Sequence, residues 1–191
     1  MTEKEYKCLI DEKAYNRAEK AYLWDSVKNQ TNHYYAAQTD CLAENRITVR
    51  IREKDGTYKI QVKRHINKKS ALHISDEREF PTDGAPSVID TEKAYEITGL
   101  ETGALKKIGA LTTLRHSFMW DEYTEICLDK STYLDRVDYE IEVEYQNEMP
   151  ERLISELKEL GVDFQKPVTG KYSRFVNRLN EITRGMIKCN I

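Results

Sequence analysis

Apolar and polar residues alternate along much of the chain, and changes in the period of that pattern mark its elements. Residues 3–10 alternate as a short strand does. From residue 11 to about residue 27, Ala14, Ala18, Ala21, Tyr22 and Trp24 fall at spacings of three and four, which predicts a helix. A short strand is expected at 33–37. The clearest hairpin joins 47–53 to 57–65 across Lys54-Asp55-Gly56, where a glycine is available for positive φ. Residues 71–80 read as a strand ended by Pro81 and Thr82-Asp83-Gly84, and 91–100 as a helix capped by Thr91. Further strands are expected at 109–120, 124–129 and 136–146. A helix at 150–160 has Pro150 in its first turn and Gly161 past its end, and a last helix is expected at 172–187. Seven or eight strands with three or four helices at their edges make an α+β chain, mainly antiparallel β.

Residues two apart on a strand line the same surface. Glu3, Glu5 and Lys7 therefore oppose Tyr6, Cys8 and Ile10, and Arg50 and Arg52 oppose Val49 and Ile51. Lys59, Gln61 and Lys63 oppose Tyr58, Ile60 and Val62. Asp138, Glu140, Glu142 and Glu144 oppose Tyr139, Ile141, Val143 and Tyr145. For any single strand, a polar face in water is the plainer explanation. The set argues otherwise, because four acids in a row repel one another unless cations sit between them. Like charges sorted onto separate strands point to a divided site, acidic on one side and basic on the other. Such a division suits a polyphosphate with its metal: carboxylates hold a hard cation, while Arg and Lys take the remaining phosphate charge. To bring these charges together, the polar faces should line the inside of a barrel and the apolar faces should pack outward against helices.

Bulk properties narrow the classes. The chain has 191 residues, 39% hydrophobic and 33% charged, which suits one domain with a real core spanning 1–191. Its 30 basic and 33 acidic residues leave a net charge of −3, against a generic nucleic-acid surface. Cys8, Cys41, Cys127 and Cys189 show no CxxC pair, as expected of unrelated reduced thiols. The segment MTEKEYKCLIDEK has no apolar core, and no apolar run approaches the roughly 20 residues of a membrane span. A cytoplasmic protein with no membrane partner is expected. Oligomeric state is not readable.

Glu3-Lys4-Glu5-Tyr6-Lys7 resembles the amino-terminal ExExK signature of the CYTH superfamily, the triphosphate tunnel metalloenzymes. The resemblance continues in order. Ile47-Thr48-Val49-Arg50-Ile51-Arg52 resembles the family's RxR strand, and Gln61-Val62-Lys63 a strand ending in Lys. Residues 111–115 resemble a strand carrying one Arg, and Ile126-Cys127-Leu128-Asp129 a strand ending in Asp. Residues 138–144 resemble the terminal acidic strand, and Gly170-Lys171-Tyr172-Ser173-Arg174-Phe175 the late Lys-containing segment.

This resemblance implies a closed eight-stranded antiparallel β-tunnel with flanking helices, a triphosphate held inside, and Mg²⁺ or Mn²⁺ as cofactor. Strand order and closure come from the family, since periodicity establishes neither. By position, Glu3, Glu5, Glu140 and Glu142 would hold metal, with Glu144 a further ligand. Asp129 would bind metal or orient a basic neighbour. Lys7, Arg50, Arg52, Lys63, Arg115 and Lys171 would contact phosphates, joined by Lys59 and Arg174. Glu3, Glu5 and Lys7 are the residues expected to carry catalysis. Glu77 and Glu79, on one face with His73 and Ser75, are further candidates. Two departures bear on the reaction: Gln38 stands where the family often has an acid, and Cys127 where some relatives carry one.

The leading expectation is metal-dependent hydrolysis of inorganic, nucleoside or thiamine triphosphate. Relatives also use the tunnel for adenylate cyclase chemistry, releasing pyrophosphate. A non-catalytic polyphosphate or nucleotide sensor, favoured by Gln38, and an interaction domain with an exposed acidic strand are the alternatives from other classes. His33, His65, His73 and His116 show no metal-ligand spacing, and residues 99–103 lack the Lys and Ser or Thr of a P-loop. Asn67-Lys68-Lys69 reads as a solvated loop, and Arg174, Arg178, Arg184 and Lys188 as the wet face of the last helix.

Overall fold

A computed structural model describes residues 2–69 and 71–189. Strand β1 (Thr2–Ile10) leads into α1 (Glu12–Ala21), β2 (Ser26–Ala36) and one helical turn, α2 (Cys41–Glu44). Strands β3 (Ile47–Lys54), β4 (Thr57–Lys69) and β5 (Leu72–Thr82) form a meander, followed by β6 (Val88–Ile89) and α3 (Thr91–Thr98). A second meander, β7 (Leu105–Asp121), β8 (Thr124–Tyr133) and β9 (Arg136–Tyr145), precedes α4 (Glu151–Glu159) and α5 (Lys171–Cys189). The spatial order is β2-β3-β4-β5-β1-β9-β8-β7, and β2 pairs β7 from Ser26↔Ser117 to Ala36↔Lys106, which closes eight strands into the expected antiparallel tunnel. The two-residue β6 adds to β7 at Leu105 and Lys106. Among the described residues no helix is long and apolar enough to cross a membrane.

Local chemistry explains the meanders. Asp55 (φ 52°) and Gly56 (φ 74°) both take positive φ between the paired Lys54 and Thr57, the two-residue turn whose twist matches the flanking strands. Alternate residues then point outward as apolar rows. Ile47, Val49, Ile51, Ile60 and Val62 pack beneath Leu42, Ala94 and Ile97 of α2 and α3. Cys8, Ile126, Leu128, Ile141 and Val143 pack beneath Tyr15, Ala18, Leu153 and Leu157 of α1 and α4. A fully buried Ile, Leu or Val contributes about 1.5–3 kcal/mol. The tunnel lining is ionic, so this outer layer carries the hydrophobic stabilisation.

The last helix behaves differently. Phe175, Tyr172, Val176 and Leu179 of α5 meet Tyr34, Leu111 and Tyr133, residues on the inward faces of β2, β7 and β8. Helix α5 therefore covers one end of the tunnel instead of lying on its outside. Gly109 makes the approach feasible: a Cβ there would sit 2.6 Å from the Phe175 ring, and its φ of 149° also disfavours a side chain.

Several boundaries differ from those predicted. The helix expected to residue 27 stops at Ala21, and the strand expected at 33 starts at Ser26. Trp24 is held by ring contacts with Tyr22 and Phe118 and by its indole N–H donating to the Glu19 carbonyl at 2.9 Å, not by a helical face. Asp90, not Thr91, caps α3, its carboxylate accepting from the Lys93 amide at 2.9 Å. Pro150 is the cap of α4, not part of its first turn. Asn67, Lys68 and Lys69 belong to β4, paired with Ile74, His73 and Leu72. Strands β7 and β8 outrun the predicted 109–120 and 124–129.

Candidate active site

Where the inward faces of the eight strands meet, they enclose a cavity of about 130 Å³. That volume accommodates roughly ten water-sized groups, a scale for a small polyanion. Glu3, Glu5 and Lys7 of β1, Arg50 and Arg52 of β3, Lys63 of β4, Glu77 of β5, Arg115 of β7, Glu142 and Glu144 of β9 and Lys171 of α5 all reach its wall. The period-two reading of β1, β3, β4 and β9 thus places their charges on the inside. The acidic strand is not an exposed interaction face: Glu140 is fully buried and Glu142 nearly so.

The charges form three groups. At the first, Lys63 Nζ lies 2.6 Å from Glu3 and 3.1 Å from Glu5, and Lys7 Nζ lies 2.8 Å from Glu5. Burial opposes ionisation of Glu5, yet Lys7 and Lys63 hold it down at about 2. Glu144 has less compensation, from Lys63 alone. Burial, then the neighbouring Glu3, Glu5 and Glu125 carboxylates, push it up to about 7. Glu144 is itself exposed to solvent, which weakens the burial contribution and leaves repulsion among the acids as the feature with chemical meaning.

At the second, Glu142 accepts from Lys7 at 2.5 Å, from Lys171 at 2.7 Å and from Arg115. Asp129, fully buried, receives a bidentate pair from Arg115 at 2.8 and 2.6 Å and lies 2.9 Å from Lys171. Lys171 also lies 2.6 Å from Glu140, to which Arg174 donates at 3.0 Å. Against burial, Lys171, Lys7 and Arg115 hold Glu142 well below the carboxylate range. Burial likewise opposes ionisation of Asp129, and Arg115 and Lys171 lower it.

The third is basic. Arg50 donates to Gln61 at 2.7 Å and pairs with Glu77 at 3.7 Å, while Arg52 donates to the neutral amide of Asn32 at 3.1 Å. Burial, then Arg50 and Arg115 beside it, bring Arg52 down to about 9. The guanidinium stays charged at neutral pH but is under-neutralised.

Five sequence-predicted residues, Lys59, Glu79, Asp129, Glu140 and Arg174, do not reach the cavity wall. Asp129 and Glu140 lie behind it, bound to bases, and Arg174 is occupied by Asp138, Glu140 and the Thr169 carbonyl. Arg174 is therefore not part of a wet helix face. Lys59 is largely exposed and pairs with Glu79 at 2.7 Å, leaving Glu77 as the β5 acid that lines the cavity. Gln38 lies in the bend after β2 and is not among the lining residues. The wall also includes Gln30, Asn32 and Tyr34 of β2, together with Thr48, His65, His73, Cys127 and Tyr172, none of them predicted as site residues. Burial, then Lys63 and His73, hold His65 at about 4, so it is neutral at pH 7. Burial keeps Cys127 a neutral thiol.

Among the described residues, no three His, Cys, Asp or Glu side chains converge as a ready-made metal site. The donor chemistry nevertheless fits a hard divalent cation. Glu3, Glu5 and Glu144 offer only carboxylate oxygens, and the mutual repulsion that raises Glu144 is what a bound cation relieves. Above its ordinary 4.5, Glu144 holds a proton in the folded chain that it lacks unfolded, so its contribution to stability falls as pH rises towards about 7. A cation takes that proton's place. The melting-temperature rise on adding MnCl₂ is therefore expected to be larger at about pH 8 than at about pH 5.5. Glu144→Gln should remove the difference; an equal rise at both pH values in the unaltered protein would contradict the assignment.

Comparison with known proteins agrees with this architecture. The CYTH domain family matches residues 1–166, so α5, with Lys171 and Arg174, lies beyond the matched segment. YjbK of Bacillus subtilis (strain 168), provisionally described as a triphosphatase, is 30% identical over 125 residues, covering 61% of this chain and 62% of YjbK. A crystal structure from Bacillus halodurans, provisionally described as an adenylate cyclase, superposes with a TM-score of 0.66 at 25% identity, covering 90% of this chain and 95% of that one. HpAC1 of Hippeastrum, provisionally assigned as an adenylyl cyclase and described as having a dominant triphosphatase activity, gives a TM-score of 0.74 at 20% identity over 92% of this chain and 95% of its own. At that identity the second likeness is one of fold.

Proposed function

Because the chain belongs to the CYTH domain family, we propose that it is a metal-dependent hydrolase of a triphosphate. The observation that carries this is one cavity lined on one side by Arg50 and Arg52, the latter donating to the neutral amide of Asn32, and on the other by the crowded carboxylates of Glu3, Glu5 and Glu144. A polyphosphate with its divalent ion supplies a partner to each side at once.

Family membership implies the divalent ion, and Glu3, Glu5 and Glu144, with Glu142 adjoining, would hold it. When bound, it would supply Lewis-acid polarisation of a phosphoryl oxygen. Arg50, Arg52 and Arg115 would bind the phosphate chain, and Lys7, Lys63 and Lys171 would balance its remaining charge. Asp129 and Glu140 would act behind the wall, Asp129 fixing the Arg115 fork and Glu140 fixing Lys171. The tunnel walls would limit bulk water around the transferred phosphoryl group, so alignment and charge stabilisation carry the reaction.

The test is product analysis with inorganic triphosphate, ATP and thiamine triphosphate, each with Mg²⁺, Mn²⁺ or EDTA. Orthophosphate release that depends on metal is the expected result. Pyrophosphate with cyclic AMP from ATP would make the protein a cyclase, and tight binding without turnover would make it a sensor.

A further inference from the structure

Strand β2 supplies the part of the cavity wall to which no role has been given. Its inward residues Gln30, Asn32 and Tyr34 are buried and uncharged. Tyr34 is only 1% exposed, and its hydroxyl meets no hydrogen-bond partner. Ser75 is the other described residue with such a hydroxyl, but it does not line the cavity.

The surroundings of the Tyr34 oxygen explain what is missing. The charges that act on it most are Arg50, Lys171, Arg52 and Arg174. All four are donors with no acceptor to offer. The phenol can therefore accept from its neighbours but has nowhere to place its own proton. Its position is nonetheless fixed: the ring packs edge-on to Tyr172 at 5.1 Å and tilted against Phe175 at 5.2 Å, and the backbone pairs with Arg50 on one side and Gly109 on the other. An oriented, buried O–H among cations lacks one thing, an anionic acceptor, which is the chemical class those cations attract.

We propose that the Tyr34 hydroxyl donates a hydrogen bond to a non-bridging phosphate oxygen of the bound triphosphate, at the α5-covered end of the tunnel. The assignment rests on the cavity being a triphosphate site. It makes β2 a working wall in which a phenylalanine would preserve packing but lose a contact to ligand. An unpartnered hydroxyl that served nothing would disfavour the folded state and return no affinity.

The experiment compares the unaltered protein, Tyr34→Phe and Arg52→Gln by calorimetric titration of inorganic tripolyphosphate, in EDTA and in Mg²⁺, alongside their melting temperatures without ligand. Tyr34→Phe is expected to melt at the same temperature or higher, and to bind tripolyphosphate about tenfold more weakly. A clear fall in its ligand-free melting temperature would mean that the hydroxyl already has a partner, and would overturn the proposal. Unchanged affinity in Tyr34→Phe with weakened binding in Arg52→Gln would overturn it too, while leaving the triphosphate site standing. If the unaltered protein bound no tripolyphosphate under either condition, the triphosphate site itself would fall, and the Tyr34 contact with it.

Discussion

Arg52→Gln is expected to lower kcat/KM for a triphosphate by roughly a hundredfold or more, with the melting temperature unchanged or slightly raised. The two effects have one cause. Burial, Arg50 and Arg115 all disfavour a charge at position 52, and its direct partner is the neutral Asn32 amide. For a base whose folded pKa is lowered, the charged form counts against the fold at every pH below that value, here about 9. Removing the charge relieves the ligand-free protein. It also removes a cation positioned for phosphate, for which losing a buried charge contact costs about 2–5 kcal/mol of binding. Thermal unfolding with steady-state kinetics on the same samples separates the two. A variant that lost stability and kept kcat/KM would show that Arg52 serves the fold and not the substrate.

Glu142→Gln should have the opposite balance, with a loss of about 3–5 kcal/mol in folding stability at neutral pH. Glu142 is the carboxylate where Lys7, Lys171 and Arg115 converge, and a glutamine amide cannot neutralise three buried cations. Urea unfolding would register this as a lower midpoint at unchanged slope. The pH dependence follows from the lowered pKa. The folded value lies below the ordinary 4.5, so the stabilisation is fully present above about pH 4.5 and is lost as the pH falls through the folded value. The gap between the unaltered protein and Glu142→Gln should therefore narrow on acidification. A gap that stayed constant would mean that shape, not charge, is what Glu142 contributes.

The sequence disclosed the charged walls more readily than the neutral one, and the reason is physical. Strands β1, β3, β4 and β9 face an apolar helix layer on one side and the tunnel on the other, so Glu3, Arg50, Lys63 and Glu142 stand out against Cys8, Val49, Val62 and Ile141. Along β2, from Lys28 to Asn32, polar residues fill both faces: Gln30 and Asn32 point to the cavity while Lys28 and Asn29 are exposed. No alternation survives, and Trp24 and Val27 extend the helical spacing of α1 past its real end at Ala21. The missed wall residues Gln30, Asn32 and Tyr34 belong to that strand; their spacing of two was the available signal. Lys59 and Arg174 illustrate the converse. Each sits at a phase that admits a tunnel role, but side-chain partners decide the outcome, and Glu79, Asp138 and Glu140 reach them. Closure of the barrel through β2 and β7 involves residues far apart in sequence, and no local pattern encodes it.

The placement of β1 between β5 and β9 has a consequence for how the protein folds. Tyr6 pairs with Leu72 and Glu5 with Glu144, so neither hydrogen-bond ladder of β1 can form until segments much later in the chain are in place. Such non-local pairings require loop-closure entropy to be overcome before they return any stabilisation, and they are slow. β1 also carries Glu5 and Lys7, whose partners Lys63 and Glu142 arrive on those same two sides of the sheet. Desolvation of the β1 charges therefore accompanies the docking of β1 between β5 and β9.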